Sequence, residues 1–319
     1  MNPLRWALVG TSGYAERECL PSFAATPAAH LAAVVSSSRD RAQEFAGRHG
    51  IERGYDDISR VCAAGDISAV WIASPSHMHY AHARAAIAAG KHVLLEKPVA
   101  LDVGEGWDLV ERAEQAGVKL ATGYQARYVP GHQRMQQLIA EGELGSLVSV
   151  RSLYALRRPG PPRTWRGQRQ TARWGVLADI GTHHIDLMRM LAGEIEDATG
   201  YSAHQHGYET EDLAVASLRF SCGALGTMTV TGNYFRPTTV LEVVGSKARV
   251  VAVDTSPSGQ GRVTLEQADG SETDITGATP LSNQAQLAAV TTVFSGGDVP
   301  YATGADGARN VEILAAIAP

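Results

Sequence analysis

Val93-Leu94-Leu95-Glu96-Lys97-Pro98 divides the chain into two halves of different pattern. A short apolar run ends in an acid, a lysine and a proline, where a parallel sheet would open onto its ligand crevice. Proline restricts the residue before it to extended geometry, so Lys97 is expected to hold its ammonium towards that crevice. Upstream, Leu4 to Val9, Leu31 to Val35, a short run at Tyr55, Ala69 to Ala73, His92 to Leu95 and Val118 to Ala121 read as strands. Helical patterns at Glu16 to Ala25, Ile58 to Ala64, Tyr80 to Ala89 and Val103 to Ala116 fall between them. The alternation predicts an α/β domain with a doubly wound parallel sheet over residues 1-122.

Downstream of Gly123 the pattern changes. A helix is expected from Pro130 to Ile139. Strands follow at Leu147 to Leu156, Ala198 to His206, Leu213 to Phe220, Ala224 to Thr231, Thr238 to Val244 and Lys247 to Val253. Cys222-Gly223 and Gly245-Ser246 fit hairpin turns. Consecutive strands with short turns predict an α+β domain over residues 123-319, with a large, open, mostly antiparallel sheet. One face of such a sheet is free to pack on a second copy, so a homodimer or homotetramer through it is expected. Helices at Ser282 to Phe294 and Ala305 to Ile317 close the chain. The end at Ala318-Pro319 is abrupt and leaves room for a short tail. Arg157 to Arg173, rich in Pro, Gly and Arg, reads as one long loop.

The chain has 319 residues, enough for two domains, and a 44% hydrophobic share can build a sizeable core. Net charge is −5, and no basic block could neutralise a row of phosphates, so no nucleic-acid partner is expected. Cys19, Cys62 and Cys222 are far apart and odd in number, which argues against a disulfide framework and for a reducing cytoplasm. No signal peptide and no apolar window of about 20 residues stands out, so no membrane span is expected.

Leu4 to Val9 runs into Gly10-Thr11-Ser12-Gly13-Tyr14-Ala15 and a helix, the context of a Rossmann dinucleotide turn. Gly10 suits the tight turn. Ser12 and Ala15 replace the second and third glycines of the usual fingerprint. The Ser12 hydroxyl could bond a phosphate oxygen at the helix start; an ordinary strand-to-helix turn is the plain alternative. The next strand ends in Ser36-Ser37-Ser38-Arg39-Asp40-Arg41. An NAD site usually carries an acid here for the ribose hydroxyl, whereas hydroxyls and a guanidinium suit a 2′-phosphate. NADP(H) is therefore favoured and NAD(H) remains possible, although a serine-capped helix start with surface arginines would look similar. His77, His79 and His82 lie close together, but no second cluster of ligands accompanies them and no metal is expected.

Trp174 to Met188 is the second informative stretch. Ile180, Ile185, Leu187, Met188 and Leu191 suit a buried helix. Asp179 and His183, four apart, would share one face, with Asp186 near it and His184 pointing elsewhere. A carboxylate one turn from an imidazole can orient it and raise its proton affinity, as a general acid or base requires. An aspartate cap beside a core histidine is the alternative.

Glu96-Lys97-Pro98, Gly123, the Glu141-Gly142-x-x-Gly145 turn and Asp179-Ile180-Gly181-x-His183-x-x-Asp186 together resemble the Gfo/Idh/MocA family of oxidoreductases, from the first strand to the last helix. Ser12 and Ala15, Ser36-Ser37-Ser38-x-x-Arg41 and Trp165-Arg166 are most similar to its NADP-preferring, 1,5-anhydro-D-fructose reductase-like branch. The resemblance implies hydride transfer between a nicotinamide and a sugar or cyclitol carbon, and a cis Lys97–Pro98 bond. It implies that Lys97 holds the reacting oxygen, that His183 moves its proton, and that Asp179 assists. Gly10, Ser12, Gly13 and Ala15 would hold the pyrophosphate, and Ser36, Ser37 and Arg41 the 2′-phosphate. Ser74, Pro75 and His79 would line the path to the nicotinamide, with Glu96 and Lys97 beside its ribose. Trp165 and Arg166 would join Lys97, Asp179 and His183 around the substrate. Ser76 stands where the family often has asparagine. Ala126-Arg127 replaces an Asn-Arg pair, which leaves the role of Arg127 open.

Overall fold

The first strands are buried on both faces, which is why they read as unbroken apolar runs. In the computed structural model, which describes residues 2–158, 165–256, 261–278 and 282–318, β1 (Leu4–Val9) buries Trp6, Ala7 and Leu8 completely. β2 (Ala29–Val35), β3 (Arg53–Tyr55), β4 (Ala69–Ile72), β5 (His92–Leu95) and β6 (Leu120–Thr122) join it in the order β3-β2-β1-β4-β5-β6. All five neighbouring pairs are parallel. The connections contain α1 (Leu20–Ala24), α2 (Arg39–His49), α3 (Ile58–Cys62), α4 (His79–Ala88) and α5 (Val103–Gln115). The strand order reverses direction between β1 and β4, and a crevice opens at such a point beyond the carboxyl ends of the strands. The helix expected from Glu16 begins instead as a π-helical turn, Ala15–Cys19, before α1.

The second sheet has eight strands among the described residues, ordered β14-β13-β12-β11-β7-β10-β9-β8. They are β7 (Leu147–Arg157), β8 (Ile195–Ala203), β9 (Leu213–Phe220), β10 (Leu225–Thr231), β11 (Asn233–Gly245), β12 (Ala248–Val253), β13 (Arg262–Gln267) and β14 (Glu272–Asp274). Only β7 and β10 pair in parallel; the other neighbours are antiparallel. β9 alternates buried and exposed positions, so one face of the sheet packs inward. Against it lie α6 (Pro130–Ala140) and α8 (Thr182–Ala192).

Two segments correct the sequence reading. The Arg157–Arg173 loop is interrupted by a helical turn at Trp165–Gly167 and by α7 (Arg169–Ala172), with 159–164 outside the described residues. The helix expected through Asp179 is a π turn, Leu177–Gly181, running directly into α8. A π turn spaces its hydrogen bonds by five residues, so Asp179 precedes the regular α-helical part of the segment and His183 lies within it.

α9 (Ser282–Phe294) and α10 (Gly304–Ile317) end the chain. The residues fall into two compact units: Met1–Tyr124 with Asn283–Val311, and Gln125–Ser282 with Glu312–Pro319. The expected division at 122/123 differs in one respect, because α9 and the start of α10 return to the first unit. There, Leu287, Val290, Val293 and Phe294 join one core cluster with Trp6, Phe23 and Trp71, and Phe294 stacks on Trp6 at 5.4 Å. Among the described residues no helix is long and apolar enough to cross a membrane.

Candidate functional site

In the first unit, a cavity of about 490 Å³ opens at the carboxyl ends of β1, β2 and β4. Gly10 forms its floor. Its φ is +121°, and an added Cβ would stand 2.6 Å from the Ala73 carbonyl oxygen, so only glycine lets β1 turn here. The Gly10 amide bonds the Val35 carbonyl at 2.9 Å, and the Thr11 and Ser36 hydroxyls meet at 2.6 Å. These links tie the turn to the end of β2. Ser38 caps α2 by accepting from the Arg41 amide, which puts Arg41 in the first helical turn, on the wall of the cavity.

Of the expected cofactor residues, Gly10, Ser12, Ser36, Ser37, Arg41, Ser74 and Pro75 line this cavity together. Gly13, Ala15, His79, Glu96 and Lys97 are not on its wall. Ala15 is buried at the start of the π turn. His79 is buried between two carbonyls, with Nδ1 2.7 Å from Pro98 O and Nε2 2.8 Å from Ser74 O. Burial holds its imidazole down at about 4, so it stays neutral and donates one of these contacts at a time. It braces the loops after β4 and β5. His82 instead reaches the cavity and meets the Ser74 hydroxyl at 3.0 Å through Nδ1. Asp56 and Asp57 also line it. Asp57 caps α3 through the Ser59 amide, which holds its carboxyl below the usual range.

Lys97 follows β5, half-buried, and the Lys97-Pro98 peptide is cis, as the resemblance implied. Glu96 is buried, and its carboxylate accepts from Tyr14 and Trp71. These contacts, with the burial of the residue, hold it within the first unit.

In the second unit, Asp179 lies in the π turn and faces two arginines, with Arg158 NH2 at 2.5 Å and Arg166 Nε at 3.6 Å. The Arg166 guanidinium lies over the Trp165 ring at 4.5 Å. Arg158, Arg166 and Asp179 share a small cleft with Tyr208, Thr210 and Asp212. Glu211 shapes the turn beneath. Its Oε1 accepts from the Gly175 and Leu177 amides at 2.7 and 3.0 Å, so the cap comes from a distant strand approach and not from Asp179. Burial pushes Glu211 up, and the two amides oppose that shift.

His183 is buried in the first turn of α8. His184 does point elsewhere: its nitrogens meet Ser152 Oγ at 2.6 Å and Ser256 Oγ at 3.2 Å, and burial holds it at about 3. Asp186 is taken by Arg127. Arg158, Glu211 and the Tyr208–Asp212 segment are the residues that sequence reading missed; only the arginine-rich composition near Arg158 gave a signal.

Comparison with known proteins bears on both units. A family model described as an oxidoreductase family with an NAD-binding Rossmann fold matches residues 4–124, and the GFO/IDH/MocA C-terminal domain matches residues 132–251. The 1,5-anhydro-D-fructose reductase of Ensifer adhaerens is 29% identical over 307 residues, covering 95% of this chain and 92% of that protein. An uncharacterized oxidoreductase of Rhizobium meliloti is 30% identical over 232 residues, covering 72% and 69%. Among solved structures, an aldose-aldose oxidoreductase from Caulobacter crescentus complexed with glycerol has a TM-score of 0.89 at 25% identity, covering 99% of this chain and 96% of that one.

Proposed function

Because the chain belongs to the Gfo/Idh/MocA family of oxidoreductases, we propose that it transfers a hydride between a nicotinamide dinucleotide and a carbonyl or secondary alcohol of a sugar-like substrate, with NADP(H) preferred. The observation that carries the reading is the cavity at the ends of β1, β2 and β4. Ser36, Ser37 and Arg41 meet there beside a glycine turn, and β2 ends without an acid. Hydroxyl donors and a guanidinium suit a 2′-phosphate. The nicotinamide, when bound, supplies or accepts the hydride. Relatedness to a 1,5-anhydro-D-fructose reductase over nearly the whole chain supports a sugar substrate.

The family motif assigns the remaining work to side chains. Lys97 is the cation for the reacting oxygen, which becomes an alkoxide when hydride arrives. His183 gives that oxygen a proton in reduction and, when neutral, accepts it in oxidation. Asp179, Trp165 and Arg166 bind the substrate, and Arg158 joins them as the second guanidinium on Asp179.

Asp56 and Asp57 on the same cavity favour a second reading, NAD(H), since carboxylates there would repel a 2′-phosphate. A panel of sugars and ketoses with NADPH, NADH and their oxidised forms, followed by nicotinamide absorbance, separates the two. Equal rates with both cofactors would remove the NADP(H) preference.

A homodimer or homotetramer through the second sheet is part of the proposal. Tyr201, Val215, Thr229, Leu153, Val240 and Val253 stand in one register row across six strands. Tyr201 is 88% and Val215 46% exposed. Such a stripe, apolar but for Thr229, fits a self-complementary interface. A reducing cytoplasm is the proposed setting, with Cys19, Cys62 and Cys222 as free thiols.

A further inference from the structure

A second cavity, of about 390 Å³, lies within the second unit, where α7 and the residues after it meet β8 and the end of α10. Arg169, Arg173, Trp174, Tyr201, Ser202 and Ile317 are on its wall. Two guanidinium groups, two hydroxyls and an apolar surface thus face one space. That volume exceeds the needs of a lone ion and suits a small molecule.

The arginines reach the cavity through an uncommon turn. Arg173 ends α7 with φ 56° and ψ −56°, and the Trp174 amide donates to the Ala172 carbonyl at 2.7 Å. This is close to the γ-turn of the rarer hand, which a residue with a side chain adopts under strain. Strain of this kind is kept where the geometry that it enforces is used. Here it folds Arg173 back onto its neighbour, with the guanidinium over the Trp174 ring at 4.4 Å. Trp174 is fixed in turn, because its indole donates to the Ala318 carbonyl at 2.8 Å. Arg169 is anchored by its amide, which donates to Glu209 at 3.0 Å. Among the described residues no hydrogen bond or ion pair engages the Arg169 guanidinium.

The charge on the wall is unbalanced. Glu211 lines the cavity as well, but its Oε1 already accepts from the Gly175 and Leu177 amides. His204, whose Nδ1 donates to the Tyr208 carbonyl at 3.2 Å, adds no negative charge. Two guanidinium groups against one carboxylate leave a cationic lining, and a guanidinium fork matches the oxygens of a phosphate or carboxylate.

We propose that this cavity is a binding site for a small hydroxylated organic anion, a phosphate or a carboxylate. Arg169 and Arg173 hold its charged group, Tyr201 and Ser202 its hydroxyls, and Trp174 and Ile317 its carbon body. The Asp179 cleft lies next to it, with Glu211 as the shared wall. The site does not depend on the reaction proposed above, because neither arginine takes part in it.

The test is isothermal titration of the full chain with glucose 6-phosphate, gluconate, inorganic phosphate and glucose. One of the first two is expected to bind at least about tenfold more tightly than phosphate or glucose alone, and which one identifies the charged group. Arg169→Gln and Arg173→Gln should each weaken it about ten- to hundredfold. Arg41→Ala and Arg158→Gln, which alter the other two cavities, should leave its affinity unchanged. Arg173→Gly relieves the turn, so it should keep or raise the thermal midpoint while losing the ligand. Should the Arg173 variants not fold, Arg169→Gln decides, since that side chain is exposed. Absence of binding by all four compounds at about 10 mM overturns the proposal. So does an affinity that survives Arg169→Gln, or one that falls as far in Arg41→Ala or Arg158→Gln.

Discussion

Arg127 grips Asp186 with two parallel contacts of 2.6 Å, Nε to Oδ2 and NH2 to Oδ1, and the carboxylate is 1% exposed. The arginine whose role the sequence left open thus ties the helical turn Gln125–Tyr128 to α8. Removing one partner of a buried pair leaves an uncompensated charge, at a cost of roughly 3–5 kcal/mol. Arg127→Ala is expected to lose that much in urea unfolding. Arg127→Lys keeps the charge but not the fork, and should fall between. A loss under about 1 kcal/mol would mean that water replaces the pair.

Acid should loosen the second unit. Burial holds His132 at about 4 and His184 at about 3, and both titrate near 6.5 once unfolded. Between those limits the unfolded chain binds more protons. Stability is therefore full above about pH 6.5 and falls as pH drops towards the folded values. In His184→Gln, the difference in urea midpoint between about pH 7 and about pH 5 is expected to shrink by one proton's share. An identical slope in the variant would assign the acid sensitivity to other groups.

Cofactor choice should rest on Arg41. A guanidinium bonded to phosphate contributes roughly 1.5–3 kcal/mol, so Arg41→Ala should weaken NADPH about ten- to hundredfold. NADH should hardly change. Isothermal titration with both cofactors checks this, and equal losses would remove the 2′-phosphate argument.

Lys97→Ala is expected to abolish hydride transfer and to retain NADPH binding. His183→Asn should lose roughly 10² to 10⁴ in rate, the usual worth of a positioned acid or base. His184 should not substitute for it, since both His184 nitrogens are engaged by buried serines. Full turnover in Lys97→Ala would defeat the assigned role.

The sheet face has its own test. Val215→Asp places a charge in the register row beside Tyr201. The prediction is a shift towards monomer in sedimentation velocity with little change in thermal midpoint, because Val215 is already half-exposed in the single chain. A wild type that sediments as a monomer would dispose of the interface.

The first sheet was legible because doubly buried strands and intervening helices differ sharply in period. β13 was not, since Arg262, Thr264 and Glu266 on its open face, with Gln267 at its end, give it the polarity of a loop. Hydrophobic spacing also could not distinguish a π turn from an α turn at Asp179, because the apolar positions of α8 begin after it. The cavity residues next to glycine and serine turns could be read locally. Glu211, which caps the Asp179 turn from 34 residues away, depends on tertiary contact that no local pattern records.

The return of α9 orders events during synthesis. Trp6 and Trp71 leave the ribosome long before Leu287, Val290 and Phe294, which complete their core. The first unit thus stays open until α9 and the start of α10 have been made, after most of the second unit. Nascent chains ending before residue 283 should expose this unfinished apolar surface and lean on chaperones, so truncation ahead of α9 would strike the unit that holds the cavity although its walls come from the first strands.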